Sequence, residues 1–282
     1  MRVISFINMK GGVGKTTLST NVAHCLATHE DKKVLFIDID PQFNATQCFF
    51  DGNAYVEYMR KKKSTILDLF KGSVVKVSTV DGAQQQDEKC YKDIVPFNVS
   101  DNLFLLPGNL NLYQTEIAPG SGKENRLKKY LEEMEDNYGF DYAIIDTPPT
   151  PSIWMTSALV ASDHYVIPVK PDPLSYTGVD LLQKIIKSKK ADLDLSINCL
   201  GIVLTVVEHN TQVYNRCKEE INNNVRTKGL LFHNELLKRT LIAKTQLNQK
   251  FILDLNKSDL NHNLTGIVNE IIQRIDDYEA KH

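Results

Sequence analysis

Lys10-Gly-Gly-Val-Gly-Lys-Thr-Thr17 constrains this chain's fold more than any other segment. It follows a short apolar run, Arg2-Val-Ile-Ser-Phe-Ile-Asn8, and opens a helix-like stretch from Thr16 to about Thr28. Strand, glycine-rich turn and helix in that order form the first half of a βαβ unit. Gly11, Gly12 and Gly14 let backbone N–H groups turn inward around a polyanion, where side chains would obstruct it. The positive end of the following helix adds to that pull. Lys15 is placed to bridge the outer phosphates of a nucleotide, with Val13 inside the cradle. The Thr16 hydroxyl can join the octahedral shell of Mg²⁺, and Thr17 can make a further phosphate contact. The general pattern G-x-x-x-x-G-K-[ST] asks for glycine where this chain has Met9, which is expected to pack under the loop. Lys10 is not needed by the cradle. It reads as a solvated loop lysine or as a charge aimed at phosphate, on its own nucleotide or across a dimer interface.

The rest of the chain repeats the unit. Lys33–Asp38, Leu103–Leu106, Tyr142–Asp146, Tyr165–Val169 and Leu200–Thr205 are nearly continuous apolar runs, as parallel strands covered on both faces require. Helical stretches lie around Asn125–Asn137, Ser175–Lys190 and Gln212–Asn224. The expectation is an α/β fold with a doubly wound, mostly parallel sheet flanked by helices, binding its ligand at the strand ends. It reads as one domain over 1–282, with a polar surface insertion at about 71–93. A docked terminal helix is expected at about 263–280, where Ile267, Val268, Ile271, Ile272 and Ile275 recur at helical spacing.

Carboxylates stand where such a site needs them. Asp146 ends the run Ala143-Ile-Ile and precedes Thr147-Pro-Pro149, the place of a Walker B carboxylate. Asp38 and Asp40 flank Ile39, and on an extended chain alternate residues face one side, so both can point to one site. Asp40 is assigned to orienting the attacking water. Asp38 and Asp146 are assigned to Mg²⁺ through water, although the roles of Asp38 and Asp40 can be exchanged on this evidence.

Composition narrows the classes. At 42% hydrophobic and 24% charged residues, with a net charge of −2, the chain has no global basic signature. Any nucleic-acid contact must come from a local patch. Cys25, Cys48, Cys90, Cys199 and Cys217 form no CxxC pair and no metal-ligand spacing, which fits reduced thiols in the cytoplasm. There is no signal-peptide pattern, and no apolar run approaches the roughly 18 residues of a membrane span.

Together these residues resemble the ParA family of DNA-partition ATPases, within the deviant Walker A (MinD–ParA) group. The likeness is carried by Lys10–Thr17, Asp38-Ile-Asp-Pro-Gln-Phe-Asn-Ala-Thr46 and Asp146-Thr-Pro-Pro149. Leu105-Leu-Pro-Gly-Asn-Leu-Asn-Leu112 with Glu116, and Pro168 with Ser175, Gly178 and Leu182, extend it over about residues 1–205. The resemblance implies an ATP-driven sandwich homodimer in which Lys10 reaches the opposite subunit's nucleotide. The dimer would coat double-stranded DNA without sequence preference, be nucleoid-associated in the cytoplasm, and use no membrane. A centromere-binding ParB-type adaptor would stimulate hydrolysis. The chain lacks a long extension before its first strand, so specific operator binding is not expected. The family's Pro-Arg-Asn-like turn has its nearest equivalent at Lys238-Arg239-Thr240, and no adenine contact is transferred from it.

For DNA, residues 170–260 hold fourteen Lys and Arg against ten Asp and Glu. Lys184, Lys187, Lys189, Lys190, Arg216, Lys218, Arg239 and Lys244 are the candidates, and a dimer would double their patch. Arg60-Lys61-Lys62-Lys63 is a second cluster, and either group can be a plain solvated face. Three rivals remain in view. A MinD-like membrane ATPase needs a basic amphipathic terminal helix, whereas Glu270, Asp276, Asp277 and Glu279 dominate here. An iron-protein-type ATPase needs cysteines placed to share a cluster. A nucleotide-gated adaptor that scarcely hydrolyses would not need Asp40 and Asp146.

Overall fold

A computed structural model describes residues 1–71, 91–116, 122–173 and 175–281. The strands are β1 (Arg2–Phe6), β2 (Val34–Asp38), β3 (Phe97–Ser100), β4 (Leu103–Leu106), β5 (Tyr142–Asp146), β6 (His164–Val169), β7 (Asn198–Val207) and β8 (Leu236–Leu237). They form one sheet in the order β3-β4-β2-β5-β1-β6-β7-β8. Every neighbouring pair is parallel except β3 and β4. The helices are α1 (Lys15–Thr28), α2 (Thr46–Phe49), α3 (Gly52–Arg60), α4 (Ile66–Phe70), α5 (Leu112–Glu116), α6 (Arg126–Tyr138), α7 (Ile153–Ala161), α8 (Ser175–Leu193), α9 (Gln212–Asn223), α10 (Thr240–Leu247) and α11 (Ser258–Glu279).

The winding follows from the apolar runs. β2, β5 and β6 are buried at every position, and successive residues feed opposite faces. Ile4, Phe6 and Phe36 pack with Leu18, Val22 and Leu26 of α1 and with Leu264, Ile267 and Ile271 of α11. On the other face Leu35 and Ile37 pack with Tyr130 and Met134 of α6 and Trp154 of α7, while Ile167 and Leu204 meet Leu182 of α8 and Ile221 of α9. Each such buried aliphatic side chain contributes about 1.5–3 kcal/mol. The result is the doubly wound, mostly parallel sheet.

Some elements differ from the sequence reading. α7 carries no helix signal in the sequence: nearly every residue of Ile153–Ala161 is buried, so no polar stripe marks it. The antiparallel edge strand β3 and the two-residue β8 are likewise additions to the expected set. The terminal helix begins earlier than 263, at Ser258. Most of the 71–93 segment, and Cys90, lie outside the described residues; its last three, Tyr91–Asp93, form a 3-10 turn.

Parallel register places the acidic strand ends together. Asp146 lies opposite Phe6 of β1 and opposite Asp38 of β2. The carboxylates of two strands thereby meet the turn that leaves a third.

Candidate functional site

The turn after β1 sits over the C-terminal ends of the central strands. Gly14 takes φ +78° as the residue before α1, a conformation open to glycine, and no side chain caps the helix. The first-turn N–H groups of α1 are thereby left for an outside acceptor. Gly11 and Gly12 have nothing within 4 Å of where a Cβ would stand, so backbone faces open space there. The loop is seated from beneath: Asn8 Nδ2 donates to Pro168 O at 2.7 Å, and Thr205 Oγ1 donates to Val13 O. A bulge at the end of β7 gives Val206 φ +53° and turns it to the same cavity. Half-buried Met9 packs below, against the cluster holding Ile7 and Ile167.

The cavity encloses about 900 Å³ and is lined by Gly11 to Thr17, by Asp40, and by Phe43, Tyr55, Val206 and Gln246 among others. Lys15 is 7% exposed, and its Nζ donates to Lys10 O at 3.3 Å. Burial lowers its pKa, against the pull of Asp146 and Asp40. Asp40 lines the cavity and accepts from Gln42 N at 2.9 Å; burial raises its pKa. Asp146 lies behind the wall, fully buried. Its Oδ2 accepts from Thr16 Oγ1 at 2.7 Å and its Oδ1 from Ser19 Oγ at 3.0 Å. Burial pushes this carboxyl up to about 6.

Asp38 and Asp40 do not share one outlook. β2 ends at Asp38, and the chain turns at once, with Phe43 N donating to Asp40 O at 2.8 Å, so strand alternation stops. Asp38 faces inward. Its Oδ2 accepts from both the N and the Oγ1 of Thr46 at 2.7 Å, and Thr46 Oγ1 accepts from Gly108 N at 2.7 Å. Burial and then the neighbouring Asp146 hold the Asp38 carboxyl well above the usual carboxylate range.

Lys10 lies outside the cavity lining and pairs with Asp172, beyond β6. Thr17 Oγ1 accepts from Gln246 Nε2 at 2.9 Å, a partner that nothing in the local sequence announces. Gln246 and Ala243 of α10 close one side of the cavity, and a helix of eight residues with no cap pattern gives no signal for either.

A nucleotide polyphosphate fits these groups. The buried Lys15 ammonium, the open glycines and the uncapped helix start are donors short of acceptors. Among the described residues no group of three or more His, Cys, Asp or Glu could hold a metal ion unaided. Mg²⁺ could rest on the Thr16 hydroxyl, phosphate oxygens and waters, with Asp146 and Asp38 behind that shell.

A family model described as an AAA domain matches residues 1–199. The sporulation initiation inhibitor protein Soj of Bacillus subtilis is 33% identical over 229 residues, covering 80% of this chain and 81% of that protein. This chain belongs to the ParA family. The chromosome partitioning protein ParA of Caulobacter vibrioides is 26% identical over 226 residues, covering 80% of this chain and 76% of its own. Among solved structures, one described as a plasmid partition protein of Borrelia burgdorferi, bound to AMPPNP, is 25% identical, with a TM-score of 0.73 over 97% of this chain and 98% of that one. Apo McdA of Cyanothece, at 20% identity, shares the fold with a TM-score of 0.77 over 96% and 99%.

Proposed function

We propose that this ParA-family chain is a Mg²⁺-dependent ATP hydrolase that partitions DNA. ATP joins two copies in a sandwich dimer, the dimer binds double-stranded DNA without sequence preference, and a ParB-type adaptor stimulates hydrolysis and release. Its place is the cytoplasm, on the nucleoid. The observation that carries the reading is the meeting of Lys15, Asp40 and the Thr16–Asp146 pair around one cavity.

Gly11 to Thr17 would hold the phosphates. Mg²⁺, when bound, neutralises charge that develops on the phosphate oxygens. Asp40 would orient the attacking water, since it is the carboxylate that lines the cavity. Asp146 and Asp38 would hold waters of the metal shell. Lys10, turned from its own cavity toward Asp172, would serve the opposite subunit's nucleotide.

Two measurements test the reading. Gel retention on arbitrary DNA should require ATP, fail with ADP or no nucleotide, and weaken steeply with salt. Asp40→Ala should bind ATP and lose most phosphate release; hydrolysis at the wild-type rate would remove Asp40 from its role. A MinD-like membrane reading is less favoured, because α11 buries its apolar side and exposes Asp276, Asp277 and Glu279. No helix of the described residues is long and apolar enough to cross a membrane.

A further inference from the structure

Taking Asp40 as the carboxylate that orients water, we infer that Phe43 is the residue that positions it. Phe43 closes the turn begun by Asp40 and has φ +43°, a left-handed conformation that a residue with a side chain keeps only where its surroundings hold it. The surroundings are specific. The Phe43 ring stacks on Tyr55 of α3, with centroids 5.3 Å apart and planes 17° from parallel. The turn after β4 approaches the same side chain closely: Gly108 has no Cβ, and one built there would stand 2.6 Å from Phe43 Cβ. Tyr55 then closes the circuit, its hydroxyl donating to Gly108 O at 3.0 Å.

The far end of the loop is tied to the same points. Thr46 donates to Asp38, and Gly108 N donates to Thr46. Between the ties at Asp38 and Thr46, the Phe43 ring is the aromatic anchor of the turn. Plain hydrophobic packing does not account for this. Phe43 is only half-buried, its ring faces the nucleotide cavity, and an apolar seat does not need a left-handed backbone. The Asp40–Phe43 turn is held in this conformation by Tyr55 and Gly108. Without the ring stack, the backbone relaxes and takes the Asp40 carboxylate with it.

Phosphate release and equilibrium ATP binding, measured together, test this. Phe43→Gly accepts the same φ without strain and removes the ring. Tyr55→Ala removes the other ring from outside the loop. Each should lower kcat about tenfold or more, as expected for a small misplacement of a reacting group, while KM and the ATP dissociation constant, set mainly by the phosphate loop, change far less. The double variant should be no worse than either alone, because the rings act as one unit. Phe43→Tyr, which keeps the stack, should recover most of the loss. An unchanged kcat in both single variants, a dissociation constant that weakens in step with kcat, or additive defects would overturn the inference. Asp40→Ala in the same assay separates the levels. If it loses turnover while Phe43→Gly keeps it, only the role of Phe43 falls. If Asp40→Ala hydrolyses at the wild-type rate, the reading of Asp40 falls and this inference with it.

Discussion

The Asp146 carboxyl ends β5 without exposed surface, and burial raises its pKa from 3.8 to about 6. Its folded pKa lies above its unfolded one, so between about pH 4 and 6 the folded state binds more protons, and stability falls as pH rises through that window. Above pH 6 the ionised group costs on the order of 3 kcal/mol in the nucleotide-free protein. Asp146→Asn should therefore raise the melting temperature of the nucleotide-free protein at pH 8, and the gain should shrink as pH is lowered through 6. If Mg²⁺ with ATP binds as proposed, it should stabilise the wild type further, and the same variant should lose that extra stabilisation. A melting temperature at pH 8 equal to or below wild type would contradict the account. At this scale the sequence is legible for Asp146, because a strand end fixes where its last side chain lies. It is less so for Asp38 and Asp40. Period-two alternation points both to one site, but the chain leaves the strand after Asp38, and only the turn decides that Asp40 faces the cavity.

Among the elements, α1 joins the phosphate loop to the C-terminal part of the chain. Its Asn21 is 2% exposed; Nδ2 donates to Thr17 O at 2.7 Å and Oδ1 accepts from Ile252 N at 2.7 Å. One turn earlier Thr17 accepts from Gln246 of α10. Asn21→Ala strands the buried Ile252 N–H and should destabilise the protein by about 1–3 kcal/mol. In urea denaturation this appears as a lower midpoint with an unchanged slope. An unchanged midpoint would mean that water replaces the missing acceptor. Asn21 sits inside an apolar helix pattern, where the sequence marks it only as a misfit. Its partner is 231 residues away, beyond the reach of any local pattern. The same limit hides α10 and β3, whose places are set by what they pack against. α1, β2 and β5 are legible because their apolar runs and punctuation are local.

Across the whole molecule, the basic candidates separate by what already holds them. Lys184 pairs with Asp180 at 2.8 Å, Arg216 with Glu220 at 2.9 Å, Lys218 with Glu235 at 3.0 Å and Arg239 with Asp259 at 3.3 Å. Lys190 donates to Ile197 O at 2.7 Å. Among the described residues Lys187, Lys189 and Lys244 have no ion pair. Charge reversal at Lys187 and Lys189 together should weaken ATP-dependent DNA retention. It should also flatten the dependence of log K on log salt by about 0.9 for each phosphate that is no longer neutralised. An unchanged slope would place the DNA elsewhere on the surface. Sequence counting cannot make this division, because the neutralising acids come from other turns and other elements. The two margins of the sheet have a consequence of their own. Among the described residues one ends in four residues running against the other strands, and the other in only two. Such stubs offer few free backbone groups to a neighbouring chain. Ribbon-like growth by strand addition is thereby discouraged, and copies of this chain can crowd without sticking edge to edge.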